Sequence, residues 1–261
     1  MRSRLRLWER RRESPAPGSA IPLPPKKLRF VGGGDFEQIG RTYFGYFVDL
    51  GGLQPDDRVL DVGSGVGRIA TALADYLGPG TYDGIEIVKD GVEWCRREIT
   101  SRHPNFRFHH ADIHNTRYNR AGSIRAAEYT FPFDDDSFDF IYLTSVFTHM
   151  LPEDVEHYLD EIARVLRSGG KTLITFNLLN DESKAALAEG RAINASYPHD
   201  FGVYRVARED IPEAVVAYEE SWVRLQYRRV GLELEEPIRY GSWAGRENAP
   251  TRQDVLIATR S

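Results

Sequence analysis

Val59-Leu60-Asp61-Val62-Gly63-Ser64-Gly65-Val66-Gly67-Arg68 is the stretch whose reading decides the fold. With Asp57 and Arg58 before it, its apolar start reads as a short buried strand. Three glycines at alternate positions follow. Glycine lacks a Cβ, so the backbone can turn tightly and a ligand can come within contact distance. Ile69, Ala70, Leu73, Ala74 and Leu77 then recur at helical spacing until Gly78-Pro79 stops the pattern. A helix entered through such a turn aims its free N–H groups at whatever lies against the turn. A tight turn of purely structural use is the alternative.

Outward from that stretch, strand and helix patterns alternate. Thr81 to Ile87 reads as a second strand, Val92 to Ile99 as a helix, Asn105 to His110 as a third strand and Phe138 to Thr144 as a fourth. Pro152 opens a helix with Glu153 and Asp154 in its first turn, where carboxylates suit the helix dipole. Val155, Tyr158, Leu159, Ile162, Val165 and Leu166 are its buried stripe, Ser168-Gly169-Gly170 its end, and Lys171 to Phe176 the fifth strand. Strands separated by helices of this length imply a parallel sheet covered on both faces. The end differs: Leu232 to Pro237 and Gln253 to Thr259 are two consecutive strands joined by a loop, hence antiparallel neighbours. The expected fold is α/β, a mostly parallel sheet with one reversed strand near the end.

Two segments break the alternation. Phe30 to Leu53 reads as a glycine-rich turn leading into an amphipathic helix carrying Ile39, Tyr43, Phe44, Phe47 and Val48. Residues 178–211 are too long for an ordinary connection and hold Tyr197, His199, Phe201 and Tyr204. Long excursions from compact domains are often lids or binding loops. This one is expected to cover a substrate, with His199 and Tyr204 as candidate contacts; a structural elaboration is the alternative.

Two acids sharpen the glycine turn. Glu86 ends the second strand, where a carboxylate can accept hydrogen bonds from a ribose diol. Asp112 follows the third strand, placed to accept from an exocyclic adenine amine while Ile113 packs on the ring. Matching positions at three successive strand ends are hard to obtain by chance. In these residues the chain resembles the class I S-adenosylmethionine-dependent methyltransferases, strongly over about residues 30–178. Asp61 to Gly67 resembles their first motif, Glu86 the ribose-binding acid, and Ala111-Asp112-Ile113 the adenine-contacting motif. Phe131-Pro132-Phe133 with Ser137-Phe138-Asp139, and Arg164 to Gly170, resemble the segments flanking the fourth strand and leading into the fifth. Ser64 stands where many relatives carry cysteine or another small residue; any small residue suits the turn.

The resemblance implies a Rossmann-like, doubly wound, seven-stranded sheet and S-adenosyl-L-methionine as cofactor. The cofactor-binding set it implies is Asp61, Gly63, Ser64, Gly65, Gly67, Glu86, Ile87, Asp112, Ile113 and Thr144. Dinucleotide dehydrogenases compete for such a loop, but their G-x-G-x-x-G spacing differs from the G-x-G-x-G found here. Glu93-Trp94-Cys95 and Ser145-Val-Phe-Thr-His-Met150 further resemble a bacterial subgroup acting on small molecules, some connected with sugars.

Composition sets outer limits. The chain has 261 residues, 34 Lys and Arg against 39 Asp and Glu, and one cysteine. One cysteine rules out an internal disulfide framework and a multi-thiolate zinc site. No run approaches the ~18 apolar residues of a membrane span. The net charge of -5 averages two unlike regions: residues 1–30 hold nine basic and two acidic residues, about +7, and the rest about -12. Five of the 14 prolines fall between Pro15 and Pro25. Residues 1–29 are expected to be a basic, disordered tail without the apolar core of a secretory signal. Residues 30–261 are the expected domain, cytoplasmic, monomeric or homodimeric, with no nucleic-acid partner.

His149, after the fourth strand, is the candidate general base for a hydroxyl acceptor; holding the loop by a backbone hydrogen bond is its alternative role. His109 and His110 point to opposite faces of their strand, so one at most could approach a cofactor. Asp134-Asp135-Asp136 reads as a solvated turn, Cys95 as packing, and no cluster has metal-ligand spacing. The expected activity is methyl transfer to a small molecule, at a hydroxyl, of a sugar or secondary metabolite. A fold retained for binding alone, or a protein or RNA methyltransferase, is the alternative.

Overall fold

The computed structural model describes residues 21–29, 33–193, 196–249 and 251–261. Most of the expected tail lies outside the described residues; residues 21–29 contain a single 3-10 turn, Lys26–Leu28. The chain divides into two compact units, residues 1–111 and 112–261.

The first unit opens with α1 (Phe36–Asp49). Asp35 caps it by accepting from the Gln38 N–H at 2.8 Å, and Phe36, Phe44, Phe47 and Val48 are buried. Strands β1 (Arg58–Val62), β2 (Thr81–Glu86) and β3 (Phe106–His110) pair in parallel in that order. The helix expected over 69–77 has only four regular residues, α2 (Ala70–Leu73). Its ends are tightened by three-residue hydrogen bonds, Ala72 N–H to Ile69 O and Tyr76 N–H to Leu73 O. Ile69, Ala70, Leu73, Ala74 and Leu77 are nevertheless all buried, so the pattern reports the face even where the helix is irregular. α3 (Lys89–Cys95) continues into a π-helical turn, Arg96–Thr100.

The second unit carries β4 (Phe138–Leu143), α4 (Pro152–Val165) and β5 (Leu166–Phe176). The strand begins five residues earlier than the glycines suggested. Ser168-Gly169-Gly170 is taken up as an irregularity in the β4–β5 pairing between Phe138 and Phe140, with Gly169 left-handed at φ 72°. A second, four-stranded sheet was not foreseen. Its members are β6 (Leu178–Leu179), β7 (His199–Asp200), β8 (Tyr204–Val206) and β9 (Val216–Glu219), in the order β6-β9-β8-β7. These strands are two to four residues long, too short for a period of two to show in sequence. Helix α5 (Asp181–Ala188) lies between β6 and β7 in the chain, and α6 (Glu220–Arg229) follows β9.

The last strands, β10 (Leu232–Leu234) and β11 (Asp254–Arg260), close the unit: β11 lies antiparallel to both β5 and β10. The seven-stranded, mostly parallel sheet and its reversed strand are therefore present as expected. Asp254 starts β11 fully buried. It accepts from Leu178 N–H, Gly241 N–H and the Trp243 indole N–H, each at 2.7 Å, and fixes the crossing from β5 into β6.

Candidate functional site

The glycine turn after β1 is built as only glycine allows. Gly63, Gly65 and Gly67 take φ of 88°, 57° and 71°, the left-handed region that a Cβ disfavours. A Cβ on Gly67 would also stand 2.5 Å from the Ile99 side chain and 3.2 Å from the Cys95 sulfur. The turn is tied to β2 through Gly63 N–H and Ser64 N–H, both donating to Ile85 O at 2.8 and 3.0 Å. α1 comes close to its far end, where a Cβ on Gly40 would lie 2.4 Å from Arg68 O.

Glu86 bridges the turn and the strand end. Its Oε2 accepts from Gly65 N–H at 2.7 Å and its Oε1 from Val88 N–H at 2.8 Å. Burial pushes the carboxyl's pKa up, while these backbone donors pull the other way. Asp61 is buried and accepts from the Tyr82 hydroxyl at 2.6 Å, a partner the sequence reading missed. Ser64 is buried and Ile87 half-buried. Cys95 sits beneath the turn with its sulfur 3.9 Å from Gly65 O, and burial pushes its thiol far up, so it is packing and stays protonated. Neither adjacent histidine is drawn to the turn: His109 Nε2 pairs with Asp83 Oδ1 at 2.7 Å beside the bidentate Arg107, and His110 is exposed.

In the second unit, Asp112 is exposed and Ile113 buried. The Asp112 carboxylate accepts from Ser123 Oγ at 2.6 Å, and its main-chain oxygen accepts from Ser123 and Ile124 N–H, closing the loop 112–124. Thr144 is half-buried just past β4. Ser145 after it has φ 61°, a strained value for a residue with a Cβ.

The turn from Ser145 delivers His149. Its Nδ1 lies 3.0 Å from the Glu213 main-chain oxygen. A carbonyl only accepts, so Nδ1 carries the proton and Nε2 carries the ring's lone pair. Burial lowers the imidazole's pKa and Arg117 lowers it further, while hydrogen bonding to the Glu213 and Ala214 backbone opposes both. The ring is therefore neutral at pH 7. Tyr118 packs edge-on at 5.5 Å, Thr116 Oγ1 donates to the Glu213 carboxylate at 2.8 Å, and Arg117 donates to Ala214 O at 2.9 Å. This surrounding was invisible in sequence, since Glu213 serves His149 through a backbone atom that every residue possesses.

His199 Nδ1 is 3.7 Å from Glu209 Oε2, and Tyr204 stacks on Phe201 at 5.1 Å. Asp134 and Asp136 are exposed, as a turn requires, and Asp135 pairs with Arg164. Among the described residues no group of three or more His, Cys, Asp and Glu could hold a metal, and no helix is long and apolar enough to cross a membrane.

Residues 60–174, from the glycine turn to the middle of β5, match the model of a methyltransferase domain. Over these residues the chain is a methyltransferase domain. The chain is 35% identical over 120 residues to a fatty-acid O-methyltransferase of Mycolicibacterium smegmatis, covering 45% of this chain and 36% of that protein. It is 34% identical over 123 residues to a phthiotriol/phenolphthiotriol dimycocerosates methyltransferase of Mycobacterium tuberculosis, covering 47% of this chain and 37% of that one. The chain thus spans little more than a third of those relatives' lengths. The fold is shared with the PH0226 protein of Pyrococcus horikoshii at a TM-score of 0.61 and 18% identity, over 90% of this chain and 95% of that one.

Proposed function

We propose that the protein methylates an oxygen of a small, largely apolar acceptor, and that His149 removes the acceptor's proton when that oxygen is a hydroxyl. The single observation carrying the catalytic part is the His149 geometry: Nδ1–H is spent on the Glu213 carbonyl, so Nε2 can take a proton. The two curated relatives, one acting on fatty acids and one on phthiotriol lipids by name, favour an apolar acceptor over a sugar.

The turn after β1 fits S-adenosylmethionine: three left-handed glycines shape a tight turn, and Glu86 is a buried acceptor at the adjoining strand end. When bound, that cofactor supplies a methyl group already activated on a sulfonium. Glu86 would hold the ribose hydroxyls, with Gly63, Ser64, Gly65 and Gly67 lining the turn and Asp61 and Ile87 supporting it. Asp112 and Ile113 would take the adenine, and Thr144 would border the cofactor at the end of β4. His149 would accept the hydroxyl proton at Nε2 and release it to water after transfer. A base so placed contributes about 10²–10⁴-fold. His199 and Tyr204, on the β7–β8 hairpin, remain candidate acceptor contacts. A carboxylate acceptor is the second reading, favoured by the fatty-acid relative; it is ionised at pH 7 and needs no base.

The test is transfer of tritium from methyl-labelled S-adenosylmethionine to dodecan-1-ol, dodecanoate and methyl glucoside, with His149→Ala alongside. Label in dodecan-1-ol that His149→Ala abolishes supports the first reading. Label in dodecanoate, indifferent to His149, supports the second. Label only in the glucoside, or tight cofactor binding with no transfer to any extractable small molecule, overturns the apolar-acceptor reading.

A further inference from the structure

We propose that Gln253 is a positioning residue for His149, its carboxamide fastening both ends of the left-handed turn that delivers the imidazole. Gln253 directly precedes β11, whose Asp254 pairs with Phe176, so it stands at the carboxyl edge of β5. Its Oε1 accepts from Ser145 Oγ at 2.8 Å and from Thr175 Oγ1 at 2.8 Å, and its Nε2 donates to Thr148 Oγ1 at 3.1 Å. The orientation of the amide follows from the network. Thr175 Oγ1 already accepts from Ser145 N–H at 2.8 Å, so its own proton is free to go to Gln253. One side chain therefore holds residues 145 and 148, the ends of the segment immediately before His149.

Two features show that the turn depends on this hold. Ser145 keeps a φ of 61°, a conformation that persists in a non-glycine residue only where its surroundings over-determine it. Thr148 and Thr175 are almost completely buried, so their hydroxyls have no water to replace a lost amide partner. The other side of the turn is held independently by the Tyr218 hydroxyl, which lies between the main-chain oxygens of Phe147 and Met150. Gln253 is itself half-buried, and its carboxamide bonds run to Ser145, Thr175 and Thr148. The proposal rests on the reading of His149 as base, but its test does not need an acceptor.

The full-length protein, labelled with ¹⁵N-histidine, is followed by long-range ¹H–¹⁵N spectra across the pH range. The charged and titratable groups facing the imidazole are Arg117, Tyr118 and Glu213, and all stay unchanged in the variants compared. Wild type is expected to show one His149 tautomer, protonated at Nδ1. Gln253→Leu should admit the second tautomer and raise the midpoint of the imidazole, as the loosened ring meets water. Thr148→Val, nearly isosteric, should do the same to a smaller extent. Gln253→Glu should keep the wild-type tautomer, because its carboxylate can accept from all three hydroxyls. Wild-type tautomer and midpoint in folded Gln253→Leu, or in Thr148→Val should the leucine variant not fold, overturn the proposal. If instead His149→Ala leaves transfer to dodecan-1-ol intact while these spectra behave as expected, the failure belongs to the base assignment and not to the hold on the turn.

Discussion

The glycine turn after β1 and the turn before His149 solve the same problem in opposite ways. Each holds backbone in the left-handed region at the carboxyl end of a strand. The first does it with glycines and one acid 21 residues away, Glu86 on the next strand. The second does it with a serine, pinned by partners 30 and 108 residues away, while His149 is fixed by a carbonyl 64 residues away. A tight turn is made mainly by residues whose own backbone freedom permits it. A surface that must present one side chain in one orientation is made by distant groups converging on it. Variants that separate local from distant determination test whether this contrast is real.

The largest expected effect is at the distant end. His149→Ala should lower kcat for a hydroxyl acceptor about 10²–10⁴-fold while leaving affinity for S-adenosylhomocysteine unchanged by calorimetry. The base works only when Nε2 is unprotonated, and burial lowers the pKa of His149. In wild type, kcat/KM should therefore hold steady downward from neutral pH and fall only below the ordinary histidine pKa. An acidic limb centred at or above that value would remove His149 from the role.

Next in size is Gly67→Ala. Its cost combines about 1–2 kcal/mol for a Cβ in the left-handed region with about 1–3 kcal/mol for the clash against Ile99 and Cys95. Urea unfolding should show the loss. Because Gly67 and both of its crowded neighbours lie in the first unit, no distant variant should compensate it. Glu86→Gln comes third. It keeps the shape but weakens the charge-assisted bonds to Gly65 and Val88, and should lower S-adenosylhomocysteine affinity by about 1.5–3 kcal/mol, roughly 10–150-fold. Unchanged affinity would leave Glu86 as a brace for the turn and nothing more.

The same contrast explains what could be read from the sequence. Gly63, Gly65, Gly67, Glu86 and the apolar periods of β1–β5 are local signals, each sufficient where it stands, and the sheet with its reversed β11 followed from them. The irregular ends of α2 escaped because three- and four-residue hydrogen bonds bury the same face. The second sheet escaped because its strands are too short to show alternation. Around His149, the residue itself was legible from its place after β4. Its tautomer was not, because that depends on the Glu213 carbonyl, and neither was its footing on Gln253, 104 residues later. His199 and Tyr204 stood out as aromatic and titratable groups in a long insertion; that Tyr204 pairs opposite Tyr218, whose hydroxyl bonds the turn before His149, was not legible.

The smallest expected effect is the most pointed test of the contrast. Tyr218→Phe removes one buried hydroxyl from between the Phe147 and Met150 carbonyls and changes nothing else in shape. Losing that hydrogen bond should cost about 0.5–1.5 kcal/mol, a fall in melting temperature of about 1–6 °C for a chain of this size. If distant contacts position His149, this variant should bind S-adenosylhomocysteine as wild type does and still lose several-fold in kcat for a hydroxyl acceptor. A dodecanoate acceptor, ionised beforehand, should not register the change. Gly67→Ala should give the reverse pattern, with binding and stability hurt together for every acceptor. A Tyr218→Phe protein that loses cofactor affinity in proportion to its stability would mean that the two turns are not separately determined, and the division between a local and a distant construction would fall with it.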